Sequence, residues 1–209
     1  MADGTNTSAA LSNQAVNEMH VSIDADAALV SAAQQGDLDA FETLVARHQK
    51  RMVNIAGRMI DNYDEACEVV QDAFVSAYKN IRTFRGEAKF TTWLTTITVN
   101  LSRNRLKQLR SRRGHEAYSL DEPLRTEEGT VVVDPPSNEL SVLDRLEQRD
   151  IQQRVQNCIK TLEPDFREVL ILRDMQNLSY DEIGTVLKLA SGTVKSRLFR
   201  AREIMKGCL

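Results

Sequence analysis

Apolar residues recur at intervals of three and four wherever this chain shows a sustained pattern. Phe41, Leu44, Val45, Met52, Ile55, Ala56 and Met59 do so, as do Val70, Phe74, Ala77 and Ile81, and near the end Val194, Leu198, Ala201 and Met205. A helix gathers residues at this spacing into one stripe, which must then be buried. The pattern predicts an all-α fold. At 209 residues with 42% hydrophobic content, the chain can fill one large core or two small ones. The break at 111–141 decides for two small helical domains joined by a flexible linker: it holds Pro123, Pro135, Pro136, two glycines and mostly acidic charge, with only Val131, Val132 and Val133 as an apolar run. Residues 1–24, rich in Ala, Ser, Asn and Thr, read as a mobile leader. The domains are then 25–110 and 142–209.

The C-terminal domain carries the most specific local signals. Leu178-Ser-Tyr-Asp-Glu-Ile183 supplies a Ser cap, a Glu three residues on that can return the bond, and the apolar pair Leu178 and Ile183 around it. That helix turns Ile183, Val186 and Leu187 inward and ends near Lys188 and Leu189; Ser191 is placed to cap the next, and Gly184 to let the two helices approach closely. Two short helices joined this tightly form a helix-turn-helix, whose second helix enters the DNA major groove. On that second helix Lys195, Ser196, Phe199 and Arg200 point away from the apolar stripe. Cations there can donate to guanine O6 and N7, and Phe can touch a thymine methyl.

A net charge of −3 argues weakly against nucleic acid if spread evenly, and it is not. Between Glu87 and Glu116 there is no acidic residue, yet Lys89, Arg103, Arg105, Lys107, Arg110, Arg112 and Arg113 lie there, preceded by Asp61, Asp64, Glu65, Glu68 and Asp72. One surface should seek phosphate and another a basic partner. As a helix, the segment from Trp93 to Leu109 aligns Trp93, Thr96, Asn100, Arg103, Asn104 and Lys107 on one face, with Leu94, Ile97 and Leu101 as a neighbouring apolar stripe. Aromatic, amide and cation in line suit single-stranded DNA: the ring stacks, amides read the base edge, cations follow the backbone. A lone Trp is often core, but two amides in register with it would be poor choices for a packed interface. Glu68, Gln71 and Asp72 form a polar group opposite inward Val70, Phe74 and Ala77.

Leu162-Glu-Pro-Asp-Phe-Arg-Glu-Val-Leu170, Leu178-Ser-Tyr-Asp-Glu-Ile-Gly184 and Gly192-Thr-Val-Lys-Ser-Arg-Leu-Phe-Arg-Ala-Arg202 together resemble the C-terminal domain of extracytoplasmic-function sigma factors. Asp64 to Phe74, Phe84 to Leu94 and Val99-Asn100 resemble the central block of the same family's first domain. The likeness runs from about residue 25 to 206, broken only by the linker, and has the character of the RpoE-like group. It implies a transcription initiation factor whose first domain binds core RNA polymerase and traps a melted minus-10 element, and whose second reads a duplex minus-35 element. Carried over, it implies a flipped-base pocket at Phe84 and Asn100, strand separation near Trp93 and Asn104, and docking of Glu68, Gln71 and Asp72 on the β′ clamp helices. It also implies contact with the β flap and an anti-sigma factor. Cys67 departs from the acidic or polar residue common at its position.

Cys67, Cys158 and Cys208 are widely separated, lack metal-ligand spacing, and read as reduced thiols in a cytoplasmic protein. No apolar run approaches the roughly 18 residues of a membrane span, and the N-terminus lacks signal-peptide order. His20, His48 and His115 are scattered, with no catalytic triad order, Gly-rich phosphate loop or metal cluster. The expectation is therefore a non-enzyme without cofactor or metal. Two rival readings remain: a stand-alone helix-turn-helix regulator, which would bind its operator tightly without polymerase, and a DNA-processing enzyme with a helix-turn-helix tail, which would cut or join strands.

Overall fold

The computed structural model describes residues 26–116 and 142–209; the leader at 1–24 and most of the linker, 117–141, lie outside the described residues. Helix α1 spans 26–34. A turn at Gly36, whose φ of 100° suits a residue without Cβ, leads to Asp37, which accepts from the Ala40 N–H and caps α2 (Leu38–Ile60). That helix stops at Asp61 in the left-handed region, and Asn62 caps α3 (Tyr63–Asn80) by accepting from Glu65 N–H. A 3-10 turn, Ile81–Thr83, and a short loop lead to α4 (Phe90–Glu116). Helix α4 continues through 111–116, the first residues of the span read as linker.

Helices α2, α3 and α4 pack against one another. Leu44, Met52, Ile55 and Met59 from α2 meet Ala66, Val70, Ala73 and Ala77 from α3 and Leu94 and Val99 from α4, all nearly or fully buried. The stripes predicted from spacing are this core, with Val45 only partly buried at its edge. Gln34 of α1 donates to the carbonyls of Ile81 and Phe84 at 3.0 and 2.9 Å, anchoring the loop that precedes α4.

The second unit begins with α5 (Val142–Thr161) and α6 (Pro164–Leu170), with Pro164 in the first turn where its missing N–H costs nothing. A π turn, Ile171–Met175, extends α6. Then α7 (Tyr180–Leu187) and α8 (Ser191–Cys208) form the helix-turn-helix. The capping box of Ser179 and Glu182 is complete, and α7 ends at Lys188 with φ 56°. A Cβ on Gly184 would sit 2.8 Å from the Leu189 carbonyl oxygen, so this position tolerates only glycine without movement of the turn. Val194, Leu198, Ala201 and Met205 are buried on α8.

Two expectations are corrected. Ala190, not Ser191, is the N-cap of α8, and no side chain closes that end; Ser191 is already helical. Cys158 and Cys208 are not reduced thiols but form a disulfide, bringing the end of α8 onto α5 with a Cα–Cα distance of 5.8 Å. Their separation of 50 residues hid this, because only the packing of α5 beside α8 places the two together. Cys67 is free and half-buried.

Candidate nucleic-acid interface

At the start of α4, Phe84, Phe90 and Trp93 form one aromatic cluster with ring centroids 5.0 to 6.1 Å apart. Phe90 is buried and supports the other two, which are half-buried, so Phe84 and Trp93 are held from behind and keep part of their surface in solvent. Gly86, with φ 73°, turns the loop that delivers Phe84. Further along, Asn100, Asn104 and Lys107 are exposed at helical spacing. Thr96 is half-buried and its hydroxyl donates to the Thr92 carbonyl at 2.9 Å, leaving its oxygen only as an acceptor.

Arg103 does not join this row freely. Its Nε and Nη2 donate to the two carboxylate oxygens of Glu168 at 2.7 and 2.5 Å, a bidentate pair reaching from α4 to α6. That hydrogen bonding raises the Arg103 guanidinium above its ordinary value against the opposing effect of burial. Arg105 turns the other way, donating to Glu65 and Glu68 of α3. Glu68 is thus tied to Arg105, whereas Gln71 and Asp72, one turn on, are exposed. Neither pairing shows in the spacing of α4, because each partner belongs to another helix.

On α8, Phe199 leaves 67% of its surface in solvent, flanked by exposed Lys195, Ser196 and Arg200. The Ser196 hydroxyl donates to the Thr193 carbonyl at 3.0 Å. Lys195 lies 5.7 Å from the centre of the Tyr180 ring, with the Arg173 guanidinium 5.0 Å from the same ring. These two cations therefore share an aromatic platform at the start of α7 that the sequence reading missed. Arg197 and Arg202 pair with Asp165 and Asp174, which steers them from the Phe199 face.

The two units meet along α4 and α2, with α7 against α4, and α6 and the π turn against α2. Lys89 Nζ lies 3.3 Å from Glu182, and Arg51 Nη2 donates to the Gln176 carbonyl at 2.8 Å. Burial works against the charge of Glu182, but hydrogen bonds from Ser179 and the nearness of Lys89 outweigh it and hold its carboxyl below the usual range. Burial lowers the Arg51 guanidinium from its ordinary value, with Glu182 opposing. Among the described residues no group of three or more His, Cys, Asp or Glu could hold a metal ion, and no helix is long and apolar enough to cross a membrane.

Residues 44–113 match the family model of sigma-70 region 2, and residues 152–205 match that of sigma-70 region 4. The chain is 37% identical over 185 residues to the ECF RNA polymerase sigma-E factor of Haemophilus influenzae, covering 87% of this chain and 93% of that one. It is 36% identical to the RNA polymerase sigma-H factor of Pseudomonas aeruginosa, covering 88% and 93%. Among solved structures it resembles CnrH, determined in complex with the cytosolic domain of CnrY, at a TM-score of 0.62 and 25% identity over 88% of this chain and 96% of that one. The fold is shared too with RpoE of Bartonella quintana, solved with the anti-sigma factor NepR, at a TM-score of 0.60 and 23% identity over 82% and 97%.

Proposed function

Because the chain belongs to the extracytoplasmic-function RNA polymerase sigma factors, we propose that it binds core polymerase through α3 and directs it to promoters through α4 and α8. In this reading the unit at 25–110 docks on polymerase and holds the melted minus-10 strand. The unit at 142–209 reads the duplex minus-35 element, and 111–141 links them. The observation that carries the proposal is the 67% exposure of Phe199 among Lys195, Ser196 and Arg200 on the second helix of a helix-turn-helix. A large apolar ring left in water beside cations is what a thymine methyl and flanking phosphates would cover.

On α4, Phe84 and Trp93 offer ring surface for an unstacked base, Asn100 and Asn104 offer amides for its edge, and Lys107 a cation for the backbone. Thr96 contributes an acceptor oxygen, and Arg103 joins once Glu168 releases it. Stacking is worth roughly 1–3 kcal/mol per base, comparable with the cost of taking a base out of the duplex. Gln71 and Asp72 meet the polymerase β′ clamp helices, with Glu68 set beside them by Arg105. The chain acts in the cytoplasm without chemistry of its own, restrained by an anti-sigma partner until a stress signal releases it.

In vitro transcription with purified core polymerase on a genomic promoter library tests the reading. Addition of the chain should start transcripts from a defined promoter class, and Asp72→Arg should lose competition for core polymerase. Transcription unchanged by the chain, or tight operator binding by the chain alone, would overturn it in favour of a stand-alone regulator.

A further inference from the structure

One buried apolar cluster runs through both units, yet beside it their contact leaves a cavity of about 290 Å³ whose walls are polar. The first unit lines it with Arg51, Lys89 and threonines of α4, the second with Gln176, Asn177 and Glu182. Leu178 is the one aliphatic residue among the described lining residues. The π turn at Ile171–Met175 and Asn177, in the left-handed region at φ 55°, shape the second unit's wall. Irregular backbone of this kind recurs at functional sites.

Two groups on these walls are buried without a hydrogen-bond partner among the described residues: the hydroxyl of Thr95, a residue 1% exposed, and the Nε of Arg51. Buried polar groups are almost always paired, so two orphans at one cavity point to a partner from outside the chain. That partner is an anion. Arg51 gives its Nη2 to the neutral Gln176 carbonyl, a bond that leaves its charge uncancelled, and Lys89 Nζ stands 3.3 Å from Glu182, so two cations face one carboxylate. A phosphate monoester has enough oxygens to accept from a guanidinium, an ammonium and threonine hydroxyls together. The volume is near the roughly 300 Å³ at which small-molecule sites begin, and far above the roughly 30 Å³ that one water occupies. No aromatic ring is among the described lining residues, so a nucleobase would find no stacking surface. Amides and a carboxylate suit hydroxyl groups instead.

We propose that this cavity binds a small phosphorylated sugar or polyol: Arg51 Nε, Lys89 Nζ and the threonine hydroxyls take the phosphate, while Gln176, Asn177 and Glu182 take the hydroxyls of its body. A ligand held there touches both units at once. The site is separate from Phe199 on α8 and from the Asn100 and Asn104 row of α4, and does not depend on the promoter reading.

Isothermal titration calorimetry on the full chain tests the site, with glucose 6-phosphate as probe and glucose, inorganic phosphate and AMP for comparison. Glucose 6-phosphate should bind with a Kd below about 1 mM, at least about tenfold more tightly than each of the others. Thr95→Val keeps the side-chain shape while removing the orphaned hydroxyl, and Lys89→Gln removes an exposed cation. Each should weaken binding about tenfold or more. Arg154→Gln, which deletes a cation of α5 outside the cavity, should leave binding unchanged. Absence of saturable binding at about 10 mM probe, or an equal loss in Arg154→Gln, would overturn the site and leave its walls to water. Inorganic phosphate binding as tightly as the ester would overturn the sugar assignment. Tighter binding of AMP or oligothymidylate, lost in the same two variants, would overturn it in favour of nucleic acid. Should Thr95→Val fail to fold by circular dichroism, Lys89→Gln decides alone.

Discussion

Helices α4 and α8 are both proposed to touch DNA, yet they divide their surfaces differently. Helix α8 has one buried side, made by Val194, Leu198, Ala201 and Met205, and the opposite side faces solvent with Phe199 at its centre. Helix α4 packs against α2 and α3 on one flank and α7 on another, burying Thr92, Thr95, Thr98 and Ser102 as well as Leu94 and Val99. Its cations scatter accordingly. Arg103 goes to α6, Arg105 to α3, and Lys107 to solvent. A helix whose neighbours all lie on one side can be read from its periodicity, whereas one with neighbours on several sides hides which polar residue belongs to which face.

The contrast can be broken from the apolar side first. Leu198→Ala removes a buried side chain of α8 and should cost about 2–5 kcal/mol of stability, read as a fall in the thermal midpoint together with loss of minus-35 recognition. A midpoint equal to the parent's would mean that α8 is not docked as described. Next in size, Cys208→Ser opens the bridge to α5 and should lower stability by about 2–4 kcal/mol. The parent should match it once a thiol reductant is added. Insensitivity to reductant would show that the bridge does not form in solution.

On the solvent side of α8, Arg200→Ala should cost about 1–3 kcal/mol of promoter discrimination, with Phe199→Ala no greater, and neither should change the thermal midpoint. Promoter choice left intact in both would remove α8 from the reading. The smallest effect lies under α4, where His48 is buried beside Phe90, with Asp26, Arg47 and Arg51 as its charged neighbours. Burial outweighs Asp26 and lowers the His48 pKa below its ordinary 6.5, so the folded state prefers the neutral ring. The unfolded chain then binds the proton more readily. This contribution is complete above about pH 6.5 and is lost as the pH falls toward the lower folded value. A thermal midpoint that declines on acidification, less steeply in His48→Asn, is expected; parallel slopes would assign the decline elsewhere.

Much of the fold is legible because short-range rules act on it. The Ser179 and Glu182 box, the end of α7 near Lys188, Pro164 in the first turn of α6 and the buried stripes of α2 and α3 all follow from residues within a turn or two. The outward position of Phe199 belongs to the same class. Where the rule was weaker the reading slipped: Ser191 resembles a cap, but backbone geometry gives that place to Ala190. Trp93 shows the intermediate case. Periodicity puts it beside Asn100, and the structure adds that Phe84 stands beside it and buried Phe90 behind it.

What residue order by itself determined is therefore the helices, their buried faces, the break between two units and the family to which they belong. These depend on the 3.6-residue period and on bonds between near neighbours, which any reader of the chain can count. Tertiary structure alone decided which opposite charges meet and which thiols join. Glu168 lies 65 residues from Arg103, and Cys208 lies 50 from Cys158. Charge pairing and disulfide formation have no periodicity. They depend on distances of a few ångströms that exist only once helices far apart in the chain have been laid side by side.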